Sequence, residues 1–287
     1  MTPQNVSAAP VATTVTLLGQ LTDLHIREPG RLAYGRIDTA PYLARAVASV
    51  LRLPQQPDAI VLTGDLTDFG REAEYAHLAR LLAPLPMPLY LLPGNHDERE
   101  QMRRSFPDHT YLGTDGPVRY SVRVGALRLV ALDTAVAGAS HGELDDAQLD
   151  WLEGTLVACR GEPVVIAMHH PPFSTLIGHM DRIGLLQGRD RLEAIVRQHP
   201  NVERIVCGHL HRAIDVRFGG TIASTSPAPG HQVRLDLAPD AASAWTLEPP
   251  GYRLHAWTSE QRLVTHLAMS GEFEGPYPFH ENGALID

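Results

Sequence analysis

Five times along the chain an apolar run stops abruptly at a short polar cluster carrying aspartate, asparagine or histidine. Val15 to Leu21 precedes Thr22-Asp23, Ala59 to Leu62 precedes Thr63-Gly64-Asp65, and Leu89 to Leu92 precedes Pro93-Gly94-Asn95-His96-Asp97. Val164 to Met168 precedes His169-His170, and Arg204 to Cys207 precedes Gly208-His209-Leu210-His211. Short apolar runs bounded by turn residues read as buried strands. Between them, Leu43, Ala46, Val47, Val50 and Leu51 share one helical face, with Asp38 or Thr39 placed to cap it. Arg71 to Leu82 and Asp145 to Ala158 also read as helices. Strands alternating with helices predict an α/β class, whose sites lie beyond the carboxyl ends of the strands. That is where the aspartates and histidines fall.

Val118 to Val124 and Leu127 to Leu132, split by Gly125, read as a hairpin of a second sheet. The expected fold is therefore a two-sheet β-sandwich flanked by helices, in four αββα layers. Thr175 to Gly188, with three glycines and no periodicity, is expected to loop over the mouth of the site. The chain of 287 residues, 44% hydrophobic, is long enough for one large domain with a small appendage. We expect a flexible tail at 1–14, a catalytic domain at 15–235, and C-terminal strands and tail at 236–287. Tyr252 to Trp257 and Leu263 to Met269 are strand-like there, either closing the sheet or serving as an oligomerisation element. The proline-rich Gly275 to Phe279 reads as a tail laid on a partner element.

Twenty-four basic against 33 acidic residues, a formal charge of -9, leave no broad cationic surface for a long nucleic acid. A small anionic substrate fits better. Cys159 and Cys207 lie in apolar surroundings without metal-finger spacing, as reduced core thiols do, which points to the cytoplasm. No run of about 18 apolar residues occurs, so no membrane span is expected.

The chemistry rests on Asp23, His25, Asp65, Asn95, His96, His169, His209 and His211. Alternate residues of an extended segment point the same way, so Asp23 and His25 can face one metal, as can His209 and His211 if their segment is extended. Imidazole with carboxylate suits manganese, iron, zinc or cobalt. Asp65 can bridge two ions with its two oxygens, and Asn95 adds a ligand without charge. Two ions about 3.5 to 4 Å apart hold both the attacking and the leaving oxygen of an in-line displacement, with a hydroxide available near neutral pH. No serine or cysteine sits in a nucleophile elbow, and none is required.

These residues stand in the order T-D-L-H, T-G-D, G-N-H-D, M-H-H-P-P and G-H-L-H across residues 22 to 211, and so the chain resembles the calcineurin-like metallophosphoesterase superfamily. The resemblance implies one metal held by Asp23, His25, Asp65 and His211, and a second held by Asp65, Asn95, His169 and His209. It implies that His96 is no ligand but contacts the phosphate or protonates the leaving oxygen, with Asn95 also at the substrate. It selects His169 over His170, because the family's ligand is followed by one residue and then proline. Purple acid phosphatases carry a ligating tyrosine where Asp68 stands, and Ser/Thr protein phosphatases carry an aspartate-arginine pair absent from Leu66 to Gly70.

The chain is most similar in its motifs to the class III cyclic nucleotide phosphodiesterase and glycerophosphodiesterase group, through G-D-L-T-D, L-P-G-N-H-D, H-H-P-P and G-H-L-H. Members of that group are often dimers or larger. The implied activity is a binuclear metal-dependent phosphodiesterase acting on small phosphodiesters through a metal-bridging hydroxide. A phosphomonoesterase or phosphonate-ester hydrolase on the same site is the alternative, and a catalytically silent scaffold the second. The resemblance brings His231 to the substrate phosphate, whereas a lone loop histidine is otherwise exposed and idle. Asp97 is expected to orient His96 or its loop, and Arg27 and Arg36, in the loop after the first ligands, either to help hold an anionic substrate or to be only solvated, as loop arginines usually are.

Overall fold

The computed structural model describes residues 15–286, so the tail expected at 1–14 lies outside the described residues. Eleven strands build two sheets: β1 (Thr16–Leu21), β2 (Ala59–Thr63), β3 (Leu89–Leu92), β4 (Tyr120–Val124), β5 (Leu127–Ala131), β6 (Val164–Ala167), β7 (Val202–Cys207), β8 (Ile214–Phe218), β9 (Thr221–Thr225), β10 (Gly251–Trp257) and β11 (Leu263–Met269). The first sheet runs β11-β10-β1-β2-β3 and the second β8-β9-β7-β6-β5-β4. The helices are α1 (Ala40–Leu51), α2 (Glu72–Leu82), α3 (Arg99–Ser105), α4 (Asp146–Ala158), α5 (Gly178–Asp181) and α6 (Arg189–Gln198).

The period-two alternation of a strand sorts side chains between layers. In β6, Val165 and Ala167 join the core shared with β1, β2 and β3, whereas Val164 and Ile166 pack with Leu149 and Leu152 of α4 and Leu192 and Ile195 of α6. Both faces are apolar, so the strand reads as a continuous apolar run. Helices α1 and α2 contribute Leu43, Val47, Tyr75 and Leu78 to the first core. This is the αββα sandwich.

Local chemistry sets the element ends. At α4 the Asp145 carboxylate accepts from the Gln148 amide at 2.7 Å, an N-cap that offsets one orphan donor. At α1 the cap falls to Asp38, which accepts from Ala40 N, while the Thr39 hydroxyl donates to the carbonyl of His25 at 2.8 Å. Helix α1 is thereby tied to a residue of the site. The β4–β5 hairpin turns at Gly125, whose φ of 53° suits glycine and whose missing Cβ leaves room for Thr16.

Strand β10 pairs antiparallel with β1 from Thr16↔Trp257 to Gln20↔Arg253, and β11 pairs with β10. These late strands therefore extend the first sheet. The segment 175–188, expected as a loop, is partly built of regular elements. It contains α5 and a short strand, Leu185–Gln187, paired with Gly142–Glu143, and Asp181 gathers the Thr175 and Leu176 amides and two hydroxyls. Phe279, in the proline-rich tail, is 81% exposed. No described helix is long and apolar enough to cross a membrane.

Candidate metal centre

Strands β1, β2 and β3 are mutually parallel in one sheet, and β6 and β7 in the other. All five deliver their carboxyl ends to one edge of the sandwich. Asp23 and His25 follow β1, Asp65 follows β2, Asn95 and His96 follow β3, His169 follows β6, and His209 and His211 follow β7. The expected residues are thus assembled, but not by the expected route. Asp23, His25, Asp65, His209 and His211 all have positive φ, from 45° to 69°. Left-handed kinks, rather than extended alternation, aim each pair inward. A non-glycine residue held there costs about 1 kcal/mol or more, and such strain gathers at functional sites. Ladder bonds continued past the strands hold it, with Asp23 N donating to Gly64 O and His25 N to Asp65 O, each at 3.0 Å.

Three motif glycines are required by close approach. A Cβ at Gly64 meets His169 Nδ1 at 2.4 Å, one at Gly94 meets Asp65 Oδ1 at 2.2 Å, and one at Gly208 meets Thr22 Oγ1 at 2.2 Å.

The side chains form two adjoining groups. In one, His25 Nε2 lies 3.3 Å from His211 Nε2 and 3.7 Å from Asp65 Oδ2, and His211 Nε2 lies 3.4 Å from Asp23 Oδ1. In the other, His169 Nε2 lies 3.4 Å from Asp65 Oδ2 and 3.2 Å from Asn95 Oδ1, with the His209 ring 5.2 Å from that of His169. A single oxygen, Asp65 Oδ2, faces both groups. Its Oδ1 instead accepts from the backbone of His96 at 2.9 Å.

Hydrogen bonds at the far nitrogens set the tautomers. His169 Nδ1–H donates to Thr63 O at 2.8 Å and His211 Nδ1–H to His231 O at 3.0 Å, while His25 Nδ1–H meets Asp68 Oδ1 at 3.2 Å. Each aims its Nε2 inward, as metal-ligating histidines do. His209 Nε2 is buried with no hydrogen-bond partner among the described residues. An orphaned buried nitrogen beside carboxylates and inward ring nitrogens fits a cation better than a proton network. Burial drives His209 well below the usual imidazole range and brings His211 down to about 4, so both keep their lone pairs. Burial opposes charge on His169 as well, but Asp65 beside it holds that pKa at about 9.

His170 is buried with both nitrogens engaged: Thr134 Oγ1–H donates to Nδ1 at 2.8 Å, and Nε2–H donates to Ser140 O at 3.1 Å. His96, with a side chain 33% exposed, donates Nδ1–H to the carbonyl of Asp68 and turns its remaining face to the cavity. His231 is 1% exposed and lines the same cavity, so it is not an idle surface histidine. Asp97 accepts from Leu66 N, Thr67 N, Gly94 N and Tyr75 Oη, so of its two expected roles it holds the loop and leaves the His96 ring alone. Arg27 is committed to Asp68 at 3.2 Å and Glu74 at 2.9 Å, and is not free to hold an anion.

The cavity holds about 300 Å³. Among the described residues no lysine or arginine lines it, and Asp65 is its one carboxylate. Its outer wall comes from residues that carry no spacing signal in the sequence, namely Tyr34, His179, Met180, Ile183 and Trp245. Asp68 was also missed as a support for His25, although its place in G-D-L-T-D, three residues past Asp65, is the signal that marks it.

Residues 17–213 match the model of the calcineurin-like phosphoesterases. The chain is 37% identical over 269 residues to a probable glycerophosphodiester phosphodiesterase GpdQ of Arcobacter nitrofigilis, covering 93% of this chain and 98% of that one. It is 33% identical over 267 residues to the 3',5'-cyclic adenosine monophosphate phosphodiesterase CpdA of Pseudomonas aeruginosa, covering 91% and 93%. Among solved structures it is similar in fold to a dimetal phosphatase from Danio rerio, with a TM-score of 0.60 at 17% identity, covering 89% and 99%.

Proposed function

The chain belongs to the calcineurin-like phosphoesterases, and from that premise we propose that it hydrolyses small phosphodiesters, such as 3',5'-cyclic nucleotides or glycerophosphodiesters, with two metal ions. The observation that carries this reading is Asp65 Oδ2, which lies within 3.7 Å of a nitrogen in each of the two ligand groups. Asp23, His25, Asp65 and His211 would hold one ion, and Asp65, Asn95, His169 and His209 the other. Manganese, iron, zinc and cobalt all suit that donor set. When bound, the ions supply Lewis acidity at the phosphoryl oxygens and a water acidified to near-neutral pKa.

The chain's own residues do the rest. Among the described residues the cavity offers a phosphate no lysine or arginine, so its attraction would rest on bound ions, with Asn95 and His96 as hydrogen-bonding partners. His96, held by its Nδ1–H on Asp68 O, presents its other nitrogen to the phosphate or to the departing oxygen. Asn95 contributes its amide at the same place, and His231 closes the far side against the phosphate. Two buried free cysteines support a cytoplasmic setting. Val264, Leu267, Met269 and Phe273, exposed along and after the last strand, support a homo-oligomer.

The test compares bis(p-nitrophenyl) phosphate with p-nitrophenyl phosphate, using protein stripped by chelator and reloaded with manganese. The diester is expected to have the higher kcat/KM. A monoester preference moves the assignment to the phosphomonoesterase reading.

A further inference from the structure

Beyond the ligand groups the cavity continues past His231 to two rings, Tyr34 and Trp245, that the hydrolytic chemistry does not use. The His231 ring lies 4.6 Å from that of His211, and Trp245 lies 5.4 Å further out at 70° to His231. Tyr34 sits beside both, 5.1 Å from His231 at 76° and 5.8 Å from Trp245 with only 35° between the ring planes. Tyr34 and Trp245 are thus neighbouring rings tilted 35° to each other, with His231 steeply inclined to both and next to the ligands. All three line the cavity.

The wall is built rather than incidental. Trp245 is fixed by strand pairing with Val233, two residues beyond His231, and Arg234 N donates to Ala244 O at 2.9 Å. Arg212, directly after His211, donates to Val233 O at 2.7 Å and pairs with Glu248 at 2.8 Å. Across the cavity Met180 and Ile183 belong to a small apolar cluster with Ile177, Val233 and Leu210, the residue between His209 and His211. Both walls are therefore tied to the ligand loop, which preorganises them.

Resting on the phosphodiesterase reading, we infer that Tyr34 and Trp245 form a stacking subsite for a flat, uncharged ring on the alcohol of the ester, so that nucleoside phosphates are held in preference to glycerol phosphates. Stacking a base on an aromatic side chain is sequence-tolerant and strong enough to select it. A glycerol group has no face to stack. The absence of lysine and arginine from the cavity disfavours an alcohol carrying a further phosphate.

The test measures competitive inhibition of diester hydrolysis by two products, AMP and glycerol 3-phosphate, in manganese-loaded protein. AMP is expected to bind at least tenfold tighter. Trp245→Leu, which keeps an apolar side chain but no ring, is expected to remove most of that preference, leave glycerol 3-phosphate within about twofold and leave the metal content unchanged. Trp245→Phe is expected to restore most of it. Equal inhibition by the two products, or a variant that weakens both equally, overturns the subsite while leaving the phosphodiesterase reading intact. Failure of the metal-loaded wild type to turn over any diester is a separate result and counts against that reading.

Discussion

His25 Nδ1 and Asp68 Oδ1 are 3.2 Å apart, and the same aspartate accepts at its backbone carbonyl, 2.9 Å away, the Nδ1–H of His96. One buried residue thereby orients both a proposed ligand and the proposed acid. Its second oxygen is held by Arg27 at 3.2 Å. Removing such a support costs a metal site about 10- to 100-fold in affinity. Asp68→Asn is therefore expected to weaken manganese binding by at least tenfold, read by calorimetry on stripped protein, with circular dichroism unchanged. Unaltered affinity contradicts the positioning role.

A methyl group at Gly94 has nowhere to go, since its Cβ lies 2.4 Å from Asp65 N and 2.2 Å from Asp65 Oδ1. Overpacking of this kind costs about 1–3 kcal/mol. Here it also displaces the carboxylate shared by the two groups. Gly94→Ala is expected to lower bound metal from two ions per chain to one or none while the protein still unfolds cooperatively. Two tightly bound ions in the variant contradict the bridging role of Asp65.

His96→Ala keeps the backbone N–H that donates to Asp65 Oδ1, so the ligand groups should persist. Losing the imidazole is expected to lower kcat by about 10²- to 10⁴-fold with metal content unchanged. The loss should be smaller for bis(p-nitrophenyl) phosphate than for an ester with a poor leaving group. An equal loss on both argues that His96 serves binding alone.

His255 in β10 is buried between sheets, its Nε2–H on Gln20 Oε1 at 3.2 Å and its Nδ1 taking the Thr265 hydroxyl at 2.9 Å. Burial, together with Arg204 and Arg253 nearby, drives its pKa well below the usual 6.5. The folded state refuses a proton that the unfolded chain accepts, so this contribution is present above pH 6.5 and is lost as the pH falls below it. One proton changes stability by about 1.4 kcal/mol per pH unit in that window. Denaturant unfolding of wild type and His255→Gln between pH 7.5 and 5.5 checks this, and the wild type is expected to lose more. Parallel curves contradict it.

Much of this was legible in the sequence because the ligand types, their order and their strand-end positions are local features. Asp23, His25, Asp65, Asn95, His169, His209 and His211 meet at one edge, as their motifs imply. What escaped was set by tertiary contact. The convergence of Asp23 with His25 depends on left-handed φ values, and an alternation pattern cannot reveal those. Tyr34, His179 and Trp245 come from segments far apart in the chain, and only the packing of the rim makes them neighbours. The glycines of 175–188 suggested a loop over the mouth of the site; His179, Met180 and Ile183 do line the cavity, but Asp181 closes the segment on itself through hydrogen bonds that no glycine count reveals.

The proposed hydrolysis needs two ions that share Asp65. The direct measurement is a manganese titration of stripped protein in which bound metal and bis(p-nitrophenyl) phosphate turnover are followed together. We expect turnover to rise with the second equivalent bound and to be abolished in Asp65→Asn. Full activity with no ion or with one, or two ions bound with no diester hydrolysed, contradicts the account.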